Sequence, residues 1–95
     1  MTLEEVVNLR LGDKIFTYVT SKMDILNLEI VSTNYDSNKI ICKSDTQYYS
    51  LSYYLYDSFG RTFTECLYNN IKNYSRIRKS NLEEKYGKKY PEYFI

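Results

Sequence analysis

The sequence contains no histidine, no tryptophan and no alanine, and only three glycines, one proline and two cysteines in 95 residues. Without histidine, the side chain that most often carries general acid–base catalysis and metal ligation is missing. Two thiols alone cannot complete a four-ligand zinc site, so neither a metal nor a cofactor is expected. Cys42 and Cys66 lack CxxC spacing and fall in different elements. They read as buried free thiols of a reducing compartment, with a disulfide between them as the alternative. No apolar run approaches the ~20 residues that span a bilayer. The opening Met1-Thr2-Leu3-Glu4-Glu5 has no signal-peptide pattern either, so a cytoplasmic location without a membrane partner is expected. No linker or internal repeat is found, and residues 1–95 read as one domain with one modest core.

What is abundant is Asn, Ile, Lys and above all Tyr, with twelve copies. That bias fits an AT-rich coding sequence such as those of low-GC bacteria, their phages and mobile elements. The net charge of +1 hides an asymmetry. Residues 1–60 carry five basic and eight acidic groups, a net of −3, whereas residues 61–95 carry eight basic and four acidic, a net of +4. A polarised surface that meets an acidic partner would follow.

Thr2 and Glu5 have the spacing of a capping box, and Leu3, Val6, Val7 and Leu9 follow as a helix of about two turns. Gly12-Asp13 ends it. Lys14–Val19 is β-branched and aromatic and reads as a first strand. Leu26, Leu28 and Ile30 alternate with Asn27, Glu29 and Val31, Asn34–Asn38 has turn chemistry, and Lys39–Lys43 returns, so residues 25–43 read as a hairpin. The run Gln47–Tyr56 is expected as a fourth strand. Its odd positions Tyr49, Leu51, Tyr53 and Leu55 suit a core, and its even positions Tyr48, Ser50, Ser52, Tyr54 and Tyr56 line the opposite face. Asp57–Gly60 turns the chain, Arg61–Phe63 is a brief final strand, and Thr64 caps a helix whose inner positions are Leu67, Ile71, Tyr74 and Ile77 or Arg78. Another helix is expected to start at Leu82 behind Ser80 and Asn81 and to stop at Gly87. The apolar tail ending in Tyr93-Phe94-Ile95 either packs back or docks on a partner.

Short strands in succession with tight turns define an α+β protein: a small antiparallel SH3-like β-roll or barrel over residues 12–63. A short N-terminal helix precedes it, and a helical C-terminal part covers residues 64–95. The segment Leu11-Gly12-Asp13-Lys14-Ile15-Phe16, the hairpins, and Phe59-Gly60-Arg61-Thr62-Phe63-Thr64 entering a helix resemble small phage-associated SH3-like proteins. The likeness covers residues 11–75 and implies that fold and a phage or mobile-element origin. Members of that group share no common activity to carry over. The chain departs from them where their helix is rich in Glu and Ala, since Glu65-Cys66-Leu67-Tyr68-Asn69-Asn70 is not.

Catalysis has little to stand on. The pairs Glu4/Glu5 and Glu83/Glu84 are adjacent carboxylates that point apart on a helix, and both read as complements to a helix N-terminus. Two surfaces stand out for binding. Tyr48, Tyr54 and Tyr56 form a row of phenols with Ser50 and Ser52 between them, the Tyr-and-Ser chemistry of adaptable contact surfaces. If the helices cover that row, the small serines permit close packing. If they do not, the serines leave space between rings for a ligand. Lys72, Arg76 and Lys79 share one helix face at spacings of four and three, opposite Ile71, Tyr74 and Ile77 or Arg78, and could contact phosphates or an acidic surface, or simply be a solvated helix face. The reading that follows is a small non-enzymatic binding protein that occupies the surface of a host protein or nucleoprotein complex. An inhibitor of a bacterial defence system, such as an anti-CRISPR protein, is one such role. A nucleic-acid-binding module and a structural protein that assembles through its sheet edge are the alternatives. The strand Lys39–Lys43, flanked by its lysines, reads as protected against edge pairing, which counts against the last.

Overall fold

The computed structural model of the chain describes residues 1–34 and 37–95. Thr2 opens α1 (Leu3–Val7) with the expected capping box. Its Oγ1 accepts from the Glu5 N–H at 3.2 Å, and Glu5 Oε1 accepts from the Thr2 N–H at 2.9 Å. That backbone bond holds the Glu5 carboxyl below its ordinary range. Four antiparallel strands follow: β1 (Lys14–Val19), β2 (Asp24–Asn34), β3 (Lys39–Ser44) and β4 (Gln47–Ser52). They pair in sequence order, so the sheet is an open meander with β1 and β4 at its edges. The expected hairpin is present as β2–β3; its turn lies partly outside the described residues. Between β3 and β4, Asp45 takes a left-handed φ of 51°, which its short polar side chain tolerates.

Strand alternation builds two cores, one on each side of β1. On one side Ile15, Leu28, Ile30, Ile40 and Cys42 meet Met1, Val6, Leu9 and Phe59. On the other, Tyr18 and Ile25 meet Cys66 and Leu67 of α2 (Phe63–Asn73) and Leu82 of α3 (Arg76–Tyr86). Both cysteines are free, one in each core. The C-terminal tail packs back: a 3-10 turn over Pro91–Phe94 brings Tyr93 and Phe94 against the second core, beside Phe63, Tyr86 and Tyr90.

Three expected elements are corrected. First, the tyrosine-rich strand ends at Ser52, not Tyr56, and a kinked 3-10 segment covers Tyr53–Ser58. The Ser52 side chain accepts from the Tyr54 N–H at 3.2 Å, a local cap that competes with the sheet ladder. Second, Arg61–Phe63 forms no strand. The chain meets β1 at one place, where Phe16 and Gly60 exchange backbone hydrogen bonds of 2.8 and 2.9 Å. A Cβ on Gly60 would lie 2.6 Å from the Cys66 nitrogen, so this approach requires glycine. Thr62, not Thr64, then caps α2 by accepting from the Glu65 N–H at 3.2 Å. Third, residues 64–79 are not one helix. Tyr74 is extended, and Ser75 caps α3 by accepting from the Arg78 N–H at 3.3 Å. The helix expected to begin at Leu82 therefore begins two turns earlier, and Glu83/Glu84 lie near its C-terminus, where carboxylates oppose the dipole.

Candidate protein-binding face

The two sides of the sheet are covered unequally. On the side that packs against the helices, Phe16, Tyr18 and Ile25 are covered by the second core. That cover ends at β2. Strand pairing places Lys14, Glu29, Lys43 and Tyr48 in one row across all four strands, and Ile41 beside Ser50 in the next. Asn27, Tyr48 and Ser50 are exposed there, with Glu29, Ile41, Lys43 and Ser52 half-buried. Lys14, Asn27, Glu29, Lys43, Ser44 and Asp45 border a shallow polar depression in this open half. Its cations and carboxylates alternate, so the surface lacks the single-sign field that would concentrate phosphates.

The phenols expected as one row are divided. Tyr48 projects from β4 with 67% of its surface exposed, and Tyr54 projects from the following 3-10 segment with 58% exposed. The Tyr54 ring is tilted against Tyr53 at 5.2 Å. Tyr53 in turn donates from its hydroxyl to Asn38 Oδ1, which ties the segment to the start of β3. Tyr56 turns inward and packs on the first core with Tyr53, while Leu55, expected inside, is exposed. A 3-10 turn brings residues three apart to the same side, which overrides the strand's two-residue alternation.

The cations expected on one helical face are divided too. Lys72 sits in the last turn of α2, its Nζ 5.7 Å from the Tyr68 ring, whereas Arg76 and Lys79 belong to α3. Arg76 is at the N-terminal end, where the helix dipole disfavours a cation. Of the two inner candidates, Ile77 is exposed and Arg78 turns inward.

Arg78 belongs to a polar cluster that sequence reading missed. Its guanidinium lies 4.3 Å from the Tyr18 ring centroid and 3.9 Å from that of Tyr74. Its Nη1 donates to Asn70 Oδ1 at 2.9 Å, and Asn70 also bonds Ser58 and the Cys66 carbonyl. Ser58 Oγ meets Thr17 Oγ1 at 3.1 Å. Thr17, Ser58 and Asn70 are buried, and every fully buried side-chain polar atom among the described residues has a partner. The cluster is a satisfied joint between sheet and helices. The only sequence signal for it was an Asn at an inward position of α2.

Both thiols and two of the phenols are held protonated. Burial raises the Cys42 and Cys66 thiols to about 12, so neither is a thiolate at neutral pH. Burial, then a hydrogen bond to Asp57 and to Asp24 respectively, raises the phenols of Tyr74 and Tyr86. Among the described residues, no three His, Cys, Asp or Glu side chains gather as metal ligands, and no helix is long and apolar enough to cross a membrane.

The fold is thus α+β, a four-stranded antiparallel meander with helices over half of one side and an open tyrosine-bearing half. In comparisons with known proteins, no protein family, no curated protein and no solved structure matches this chain.

Proposed function

We propose that this protein works without catalysis, by binding another protein through the open half of its sheet. Tyr48 supplies the central aromatic anchor and Tyr54 a second one at the margin. The observation that carries this reading is that α2 and α3 stop short of β3 and β4, leaving a large phenol and small serines on a rigid strand. Rigid aromatic side chains on a scaffold lose little entropy on docking and make effective hot spots. The mixed charge of the surrounding depression favours a protein partner over nucleic acid.

Under the same reading the chain is a phage or mobile-element protein of the SH3-like kind, acting in the cytoplasm on a host complex, as an anti-CRISPR inhibitor does. The Leu11–Phe16 opening leads into β1, and the single Phe16–Gly60 bridge takes the place of a closing strand. The two unpaired buried thiols suit a reducing compartment.

Photo-crosslinking from position 48 and, as a control, from position 76 tests the proposal in extracts of a bacterial host. A discrete adduct of position 48 with a protein other than a second copy of the chain, absent from position 76 and lost on Tyr54→Ala, is the expected result. Adduct formation with nucleic acid from position 76, abolished by Lys72→Ala and by raised salt, would replace this reading with the nucleic-acid one.

A further inference from the structure

The two edges of the sheet are finished differently. At β1, Gly60 occupies the backbone groups of Phe16, and α2 packs alongside. At β4 nothing comparable is found among the described residues. The Tyr53 N–H donates to the Asn38 carbonyl at 3.1 Å, in register with the β3–β4 pairing. Ladder alternation then directs the backbone groups of Gln47, Tyr49 and Leu51 toward β3, and those of Tyr48 and Ser50 and the Ser52 N–H outward. Sheet edges are normally guarded by charge, proline or a bulge. Gln47–Ser52 has no charged residue, no proline and no glycine, and it pairs with β3 without a register shift. The lysine-flanked strand taken from sequence as the guarded edge is β3, which is internal.

We propose that this edge pairs with the same edge of a second copy of the chain, joining two four-stranded sheets into one of eight strands. The strand's own sequence argues for that partner. Antiparallel pairing about a two-fold axis at Ser50 gives reciprocal backbone bonds between the two Ser50 residues, flanked by Ser52 N–H groups donating to Tyr48 carbonyls. On the first-core side it sets Tyr49 against Leu51 of the other copy, and both are half-buried at the margin of that core. On the open side it sets Tyr48 against Ser52, large against small. An uncharged strand meets no like-charge repulsion from itself. The depression beside Gln47, Tyr48 and Tyr49, bordered by Ser21 and Lys22, leaves room for the other copy's strand end. This goes beyond the binding role proposed above, because two open halves would then lie side by side and present their tyrosines twice.

Light scattering after size exclusion, over a dilution series, tests the pairing. A reversible dimer of about twice 11.4 kDa is expected. Ser50→Pro is expected to be monomeric with an unchanged circular dichroism spectrum, since it removes only an outward N–H. Ser50→Lys keeps the backbone donor and places two cations opposite one another, so it too is expected to be monomeric, which covers the case that the proline variant misfolds. Amide exchange at Tyr48, Ser50 and Ser52 is expected to slow as concentration rises. A chain that stays monomeric at its highest soluble concentration overturns the proposal, as does a dimer that survives Ser50→Lys. A parent chain that stays monomeric and still forms the position-48 adduct with another protein would overturn this inference alone and leave the binding role standing.

Discussion

Arg78 on α3 donates from Nη1 to Oδ1 of the fully buried Asn70 on α2 across 2.9 Å, with its guanidinium between the rings of Tyr18 and Tyr74. One side chain thereby joins both helices to the first strand. Its basic neighbours are not equivalent to it.

Arg78→Ala is expected to destabilise the fold by about 2–3 kcal/mol, since it removes two ring contacts and one charge-assisted bond to a buried acceptor. Asn70→Ala is expected to cost at least as much, because it strips partners from Ser58 and Arg78 together. Arg76→Ala, exposed on α3, should stay within about 0.5 kcal/mol of the parent. Urea unfolding separates them, and equal midpoints for Arg78→Ala and Arg76→Ala would refute the joint.

The three tyrosines grouped by sequence should divide in the same assay. Tyr56→Ala is expected to lose about 2 kcal/mol through its packing on the first core. Tyr48→Ala and Tyr54→Ala should leave stability nearly unchanged and act only on partner capture. A destabilised Tyr48→Ala would mean that its ring is covered.

Raising the pH should weaken the fold from about pH 9 upward. The two buried thiols have folded values raised to about 12, from the 9.0 of an ordinary thiol. Their contribution is therefore complete below pH 9 and is lost as the pH climbs toward the folded value. At pH 10 the loss is roughly 1.4 kcal/mol per thiol, since the unfolded chain ionises freely there. The raised phenols of Tyr74 and Tyr86 add a second loss above pH 10. Cys42→Val should flatten the first part of a urea-midpoint profile, and an unchanged profile would show that its thiol ionises equally in both states.

Removing residues 90–95 takes Tyr90, Tyr93 and Phe94 from the second core and is expected to cost about 2–4 kcal/mol. Removing Ile95 alone, which is fully exposed, should cost nothing measurable by thermal melting. If both truncations melt alike, the tail does not contribute to the core.

Alternation made β2 and the start of β4 legible, β-branched and aromatic composition marked β1, and the Asn and Asp of residues 34–38 marked the turn that returns the chain as β3. Local chemistry also marked the Thr2–Glu5 box. It failed between residues 53 and 79, where several Ser and Thr offered caps in close succession. Ser52, Thr62 and Ser75 are the ones used, each by accepting from a nearby backbone N–H. Choosing among them required knowing that Gly60 bonds Phe16, a contact between residues 44 positions apart.

By itself, then, the sequence determined the α+β class, the four strands, the inner faces of β2 and of the start of β4, and the burial of both cysteines, since these follow from side-chain type and spacing along a regular backbone. Tertiary structure alone decided which strand is the edge, which tyrosines stay in solvent, and which cation turns inward. The first follows from the order in which the strands pair, the second from the 3-10 turn after β4 and from how far two short helices reach across the sheet, and the third from the break between those helices at Tyr74. That reach is set by long-range packing of Cys66, Leu67 and Leu82 against Tyr18 and Ile25, which no local pattern encodes.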